Sequence, residues 1–222
     1  MKKIIGIVFF ADLNCVNWKE EVNEKLIELL NPLNMNLGKS VGHSIGLKFN
    51  NIPEIVILER PAFSGKDRDI DLSFMDNRME FKFITEKDSV VDEIKSYFNY
   101  LEILTEKLNL KIERIGINVT NLLEEKIDLK NKYLNLGLDG SVSEFGLKQN
   151  TIQKIYEENP FSPEINLLIM LESTKEKFEF LVDINTIPNG KEVEKSVRKS
   201  FLEKALEKID VLINKTIEVL KE

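Results

Sequence analysis

The chain has 222 residues, 31 Lys and Arg against 38 Asp and Glu, a formal net charge of −7, one cysteine and one histidine. Cys15 alone excludes an internal disulfide and a cysteine-cluster metal site, and His43 alone excludes multi-histidine metal centres and histidine-pair acid–base schemes. The acidic balance argues against direct binding to nucleic acid or anionic lipid, which relies on Lys and Arg, and suits a protein partner with a basic surface.

Residues 3–10 are continuously apolar and β-branched and predict a buried strand. Met1-Lys2-Lys3 ahead of that run imitates a signal peptide, but the run is short and Asp12 interrupts the approach to Cys15. A first core strand of a cytoplasmic protein is the expectation. No apolar run reaches the ~20 residues of a membrane span. Residues 17–30 predict a helix, with Trp18, Val22, Leu26 and Leu29/Leu30 on one stripe and Asn31-Pro32 as its stop. The glycine-bearing segment 33–50 reads as a loop, and 52–59 as a strand.

Asp67 to Thr85 is the clearest stretch. Ile70, Leu72 and Phe74 alternate with Asp69, Asp71 and Ser73; after a turn at Met75-Asp76-Asn77, Met79, Phe81 and Phe83 alternate with Arg78, Glu80 and Lys82. Two period-2 runs around turn residues predict a hairpin with one dry and one wet face. Residues 88–109 carry apolar positions at helical spacing, with Thr85 or Asp88 available as a cap. Residues 111–119 return as a strand, where the step from Ile112 to Ile115 suggests a bulge or burial on both faces. The pattern weakens over 120–163, with a short helix expected at 149–158. A second hairpin follows at 164–173 and 177–187, then a long helix over roughly 191–220.

Hairpin followed by long helix thus occurs twice. The expected fold is α+β: a mostly antiparallel sheet with long amphipathic helices packed on one face, and a duplicated hairpin–helix unit. The chain reads as one domain, 1–222, with similar halves 1–122 and 123–222. The terminal helix carries an apolar stripe that looks longer than a small sheet can cover, which suggests a homodimer through it.

The wet face of the first hairpin holds the sharpest chemical pattern. Asp71 with Glu80-Phe81-Lys82 has the Asp…Glu-x-Lys spacing of metal-dependent nucleases of the restriction-enzyme type. There Asp69, Asp71 and Glu80 would offer hard oxygen ligands to Mg²⁺, and Lys82 would position the attacking water. Any exposed hairpin face carries such residues, however, and Asp71 with Arg78 or Lys82 is ordinary cross-strand pairing. Asp69, Asp71, Arg78, Glu80 and Lys82 are therefore read first as a partner-binding surface, without metal or cofactor. Gly38-Lys39-Ser40 lacks the spacing of a phosphate-binding loop, leaving Gly38–Gly46 as a loop with a minor ligand-binding reading. His43 is expected on that loop, Cys15 as a buried or half-buried thiol, and the pairs Glu124/Glu125 and Glu157/Glu158 as solvated surface.

The run Tyr97–Asn121, containing Arg114-Ile115-Gly116-Ile117-Asn118-Val119, and Phe180-Leu181-Val182-Asp183-Ile184-Asn185-Thr186 ahead of the terminal helix resemble a sporadically distributed family of uncharacterised bacterial proteins. Asn118 and Val119 stand where that family tends toward Arg and Tyr. The resemblance implies an α+β fold with no assigned activity, in a setting of host–phage conflict. The functional expectation is a non-enzymatic macromolecule-binding protein that engages a basic protein partner as an inhibitor, antitoxin or sensor. The alternative is a divalent-metal-dependent nuclease or phosphodiesterase.

Overall fold

The computed structural model describes residues 2–18, 20–47, 53–65, 69–75, 77–123, 145–155, 162–173 and 178–221. The strands are β1 (Lys2–Phe10), β2 (Met35–Leu47), β3 (Pro53–Gly65), β4 (Ile70–Met75), β5 (Arg78–Thr85), β6 (Arg114–Leu123), β7 (Phe145–Lys154), β8 (Glu164–Ser173) and β9 (Phe178–Thr186). The helices are α1 (Glu20–Leu30), α2 (Val91–Lys107) and α3 (Lys195–Lys221). The strands form one nine-stranded sheet in the order β2-β3-β4-β5-β1-β6-β9-β8-β7, antiparallel throughout.

The order contains a pseudo-two-fold. β1 and β6 pair at the centre; β1 is flanked by β5 and then β4, and β6 by β9 and then β8. Each outer hairpin, β4–β5 or β8–β9, leads directly into a helix, α2 or α3. The duplicated hairpin–helix unit expected from the sequence is present, and it meets in a shared sheet.

Alternation decides which side of the sheet is dry. Ile5, Ile7 and Phe9 on β1 lie opposite Phe83, Phe81 and Met79 on β5, and opposite Val119, Ile117 and Ile115 on β6. All nine are buried in one apolar cluster with Leu26 and Leu30 of α1, Phe98 and Leu101 of α2, and Phe201, Ala205 and Ile209 of α3. Aromatic rings knit the layers: Phe9 meets Phe98 edge-on at 4.8 Å, and Trp18 meets Phe74 at 5.1 Å. On the first hairpin, Leu72, Phe74, Met79, Phe81 and Phe83 are buried and Ile70 packs against them, as the alternation predicts. The helices therefore cover one face of the sheet.

Several local expectations change. The segment 33–50 is not a loop: residues 35–47 are β2, laddered along the whole of β3, which extends to Gly65 rather than ending at 59. Residues 149–154 belong to β7, not to a helix, because the exposed edge of β8 offers a ladder that outweighs weak local preference. Neither Thr85 nor Asp88 caps α2; Val90 occupies that place, and the Ser89 hydroxyl accepts from the Val91 amide at 3.5 Å. There is no bulge in β6. Ile112 lies ahead of the strand, and its register with β1 runs unbroken from Arg114 to Leu122. α2 ends where Asn109 adopts a left-handed φ of 51°, with the Leu110 amide donating to Thr105 O at 2.9 Å and that of Asn109 to Glu106 O at 3.2 Å.

Candidate functional site

The second face of the sheet has no helix over it among the described residues. Its side chains come from the other parity of the same strands, and the pairing places them in rows. One row runs Arg78, Phe10, Arg114; the next Ser73, Glu80, Val8, Gly116, Asn185, Asn166; the third Asp71, Lys82, Gly6, Asn118, Asp183, Leu168. Val8 is buried although it lies outside the apolar core cluster.

Two glycines explain the recess in these rows. A Cβ on Gly6 would lie 2.7 Å from Oδ1 of Asn118, and one on Gly116 3.3 Å from Cβ of Asn185. Without them, both asparagines sit low over the central strands. The result is a groove of about 410 Å³ lined by Val8, Phe10, Arg78, Glu80, Arg114 and Asp183, among others. Asn185, only 4% exposed, ties the charged groups together. Arg114 Nη2 donates to Asn185 Oδ1 at 2.7 Å, and Asn185 Nδ2 donates to Asp183 Oδ2 at 2.8 Å. The Arg114 guanidinium also stands 5.0 Å over the Phe10 ring, and its buried Nε has no hydrogen-bond partner among the described residues.

Burial pushes the Asp183 carboxyl above its ordinary value of 3.8; the Arg114 charge and the Asn185 hydrogen bond pull it down without prevailing. Below the ordinary carboxylate range Asp183 is neutral in both folded and unfolded chains and carries no penalty. As pH rises the unfolded chain releases its proton first, so stability falls from about pH 3.8 through the raised folded value. Above that window the folded chain holds a carboxylate at a net cost. We therefore expect Asp183→Asn to flatten this decline and to be at least as stable as the parent at neutral pH, read by urea denaturation across a pH series. A less stable variant at neutral pH would mean that Arg114 and Asn185 outweigh desolvation.

The residues singled out by sequence lie on this face or at its margin. Asp71 is opposite Lys82, Glu80 is opposite Ser73, and Arg78 Nη2 is 3.8 Å from Glu80 Oε2, so their charges are largely matched in pairs. Arg78 and Glu80 line the groove; Lys82 is exposed beside it, and Asp69 sits in the bend before β4. Among the described residues no group of three or more His, Cys, Asp or Glu is placed to hold a metal ion. The other sequence candidates lie apart from the groove. His43 is in β2 rather than a loop, and Cys15 is exposed rather than buried, its thiol donating to Asp12 O at 2.9 Å. Asp67, Asp76, Glu124, Glu125, Glu157 and Glu158 fall outside the described residues.

Sequence reasoning missed the centre of the groove. Gly6, Arg114, Gly116, Asn118, Asp183 and Asn185 are spread over three strands, and only their lateral order brings them together. One signal was available: in β9 Asp183 and Asn185 alternate with the apolar Val182 and Ile184, which sets them on the outward face.

A larger groove, about 710 Å³, lies between α2 and α3 over Phe98, Ile103, Leu202 and Leu206. It is a packing seam. Arg198 binds Glu102 through two nitrogens, at 2.7 and 2.9 Å, and Lys195 Nζ reaches Glu106 at 2.5 Å. On α3, Phe201, Ala205, Ile209 and Ile213 are buried in the core, and Ile217 packs against it. Among the described residues no helix is long and apolar enough to cross a membrane. Neither a family model nor a curated protein matches this sequence.

Proposed function

We propose that the chain is a non-enzymatic binding protein whose open sheet face engages a protein with a basic surface, in the manner of an inhibitor, antitoxin or sensor in host–phage conflict. One observation carries this reading: a sheet covered by helices on one side leaves a recessed, polar and partly apolar face on the other. Shape and charge divide the work. The net charge of −7 draws a basic partner by long-range attraction, while the groove and the matched charges of Asp71, Arg78, Glu80 and Lys82 select register on contact.

The test is capture from a lysate of the source organism, with a tagged full chain, a variant reversing Asp69, Asp71 and Glu80 to lysine, and a helix-side control, Glu203→Lys. The expected result is a partner retained by the parent and the control, lost from the triple variant and weakened as salt rises. Equal recovery with all three chains, or none with any, would overturn the reading.

A further inference from the structure

In the row Arg78, Phe10, Arg114, Arg78 belongs to the proposed partner surface, while Phe10 and Arg114 have no part in it. Phe10 lies between the two arginines in register, one on each neighbouring strand. Adjacent strands stand about 4.8 Å apart, so the arginine backbones are separated by roughly 10 Å, within converging reach of two long side chains. Both arginines line the groove with Gly116 and Asn118, the latter seated over Gly6. Arg114 is held in place beforehand by the Phe10 ring and by Asn185, which leaves its Nη1 uncommitted among the described residues. Among the described residues Arg78 has only a 3.2 Å contact from Nε to Met75 Sδ and the long approach to Glu80, so turning toward a new acceptor costs it little. In the groove the Asn118 side chain makes no hydrogen bond among the described residues, and its amide presents both a donor and an acceptor.

The geometry points to a binding site for a small organic or inorganic anion, with a carboxylate or phosphate group taken by Arg78 and Arg114 over Phe10 and the polar body read by Asn118. Guanidinium forks match both oxyacid groups, whose geometry accepts two parallel N–H bonds. A volume of about 410 Å³ suits a compound of metabolite size. The site goes beyond partner binding, because it requires no second protein. It also gives the recess a use to which Glu80 and Asp183 contribute selectivity: they repel a ligand carrying negative charge at both ends of the groove, and favour one whose far end is neutral or cationic.

The test is calorimetric titration of the purified full chain at low salt with three probes: inorganic phosphate, succinate and glutamate. We expect saturable binding of at least one probe, weakened tenfold or more by Arg114→Gln and partly restored by Arg114→Lys, which keeps the charge without the fork. Phosphate binding alone would identify the group as a phosphate; binding of glutamate above succinate would identify a carboxylate on a zwitterion. Gly6→Val, whose side chain would push that of Asn118 out of place without touching either arginine, should weaken binding with the fold intact by circular dichroism. Absence of saturable heat with all three probes, or undiminished binding by Arg114→Gln, would overturn the site. The titration contains no partner, so a negative titration beside a positive capture removes the anion site alone, and the reverse removes the partner reading alone.

Discussion

Replacing Arg198 by methionine is expected to lower stability by about 3–5 kcal/mol, because it strands a carboxylate between two packed helices. Arg198 is 4% exposed, donates to both oxygens of Glu102 and spends its remaining nitrogen on Val193 O at 2.5 Å. It is the buried polar link between α2 and α3, the two helices of the repeat, with the exposed Lys195–Glu106 pair beside it. Methionine fills much of the space but pairs with nothing. The companion Arg198→Met, Glu102→Leu removes both charges and should recover most of the loss, since well-packed apolar pairs often replace buried ion pairs at little cost. Urea denaturation of the four chains of the cycle reads the coupling directly. A loss below about 1 kcal/mol in the single variant would show that solvent screens the pair.

Phe81→Ala should cost a similar amount, about 3–5 kcal/mol, by a different route. Phe81 is fully buried in β5, opposite Ile7 on β1 and Leu72 on β4, so it sits where three strands meet. Its ring lies 5.3 Å from that of Tyr97 and 6.2 Å from that of Tyr100, both on α2. Truncation leaves a void bounded by two strands and a helix, none able to move in without giving up other contacts. For a chain of this length the melting temperature should fall by about 6–20 °C. Phe81→Leu, which retains most of the volume, should fall much less. Equal losses for the two would point to the tyrosine ring contacts rather than cavity formation as the source.

The first hairpin was readable because its information is local. Ile70 through Phe83 alternates within a few residues, and parity alone separates core from surface. The same holds for the long apolar stripes of α2 and α3. β2 and β7 were not readable, and both lie at the sheet edges. Gly38-Lys39-Ser40 and Gln149-Asn150-Thr151 have little strand preference of their own; β3 and β8 supply the ladder that extends them. The groove failed for a related reason. Residues 3–10 are continuously apolar and 111–119 break strict alternation, so parity alone did not turn Gly6 or Asn118 away from the core, and nothing in the sequence placed β1 between β5 and β6, or β6 beside β9. Lateral order is a property of the assembled sheet, and the groove exists only once that order is set. Attention therefore settled on Asp71, Glu80 and Lys82, which one hairpin brings together by itself, although they form the rim and the deeper chemistry lies two strands away.

The central claim is that the open sheet face is the working surface. The most direct measurement is carboxyl footprinting of the full chain by carbodiimide labelling and mass spectrometry, with and without the captured partner. Asp71 and Glu80 report on the open face, and the exposed Glu203 and Glu207 report on the helix side. The account predicts that bound partner suppresses labelling of Asp71 and Glu80 and leaves Glu203 and Glu207 unchanged. Protection confined to Glu203 and Glu207, with Asp71 and Glu80 as reactive as in the free chain, would contradict it.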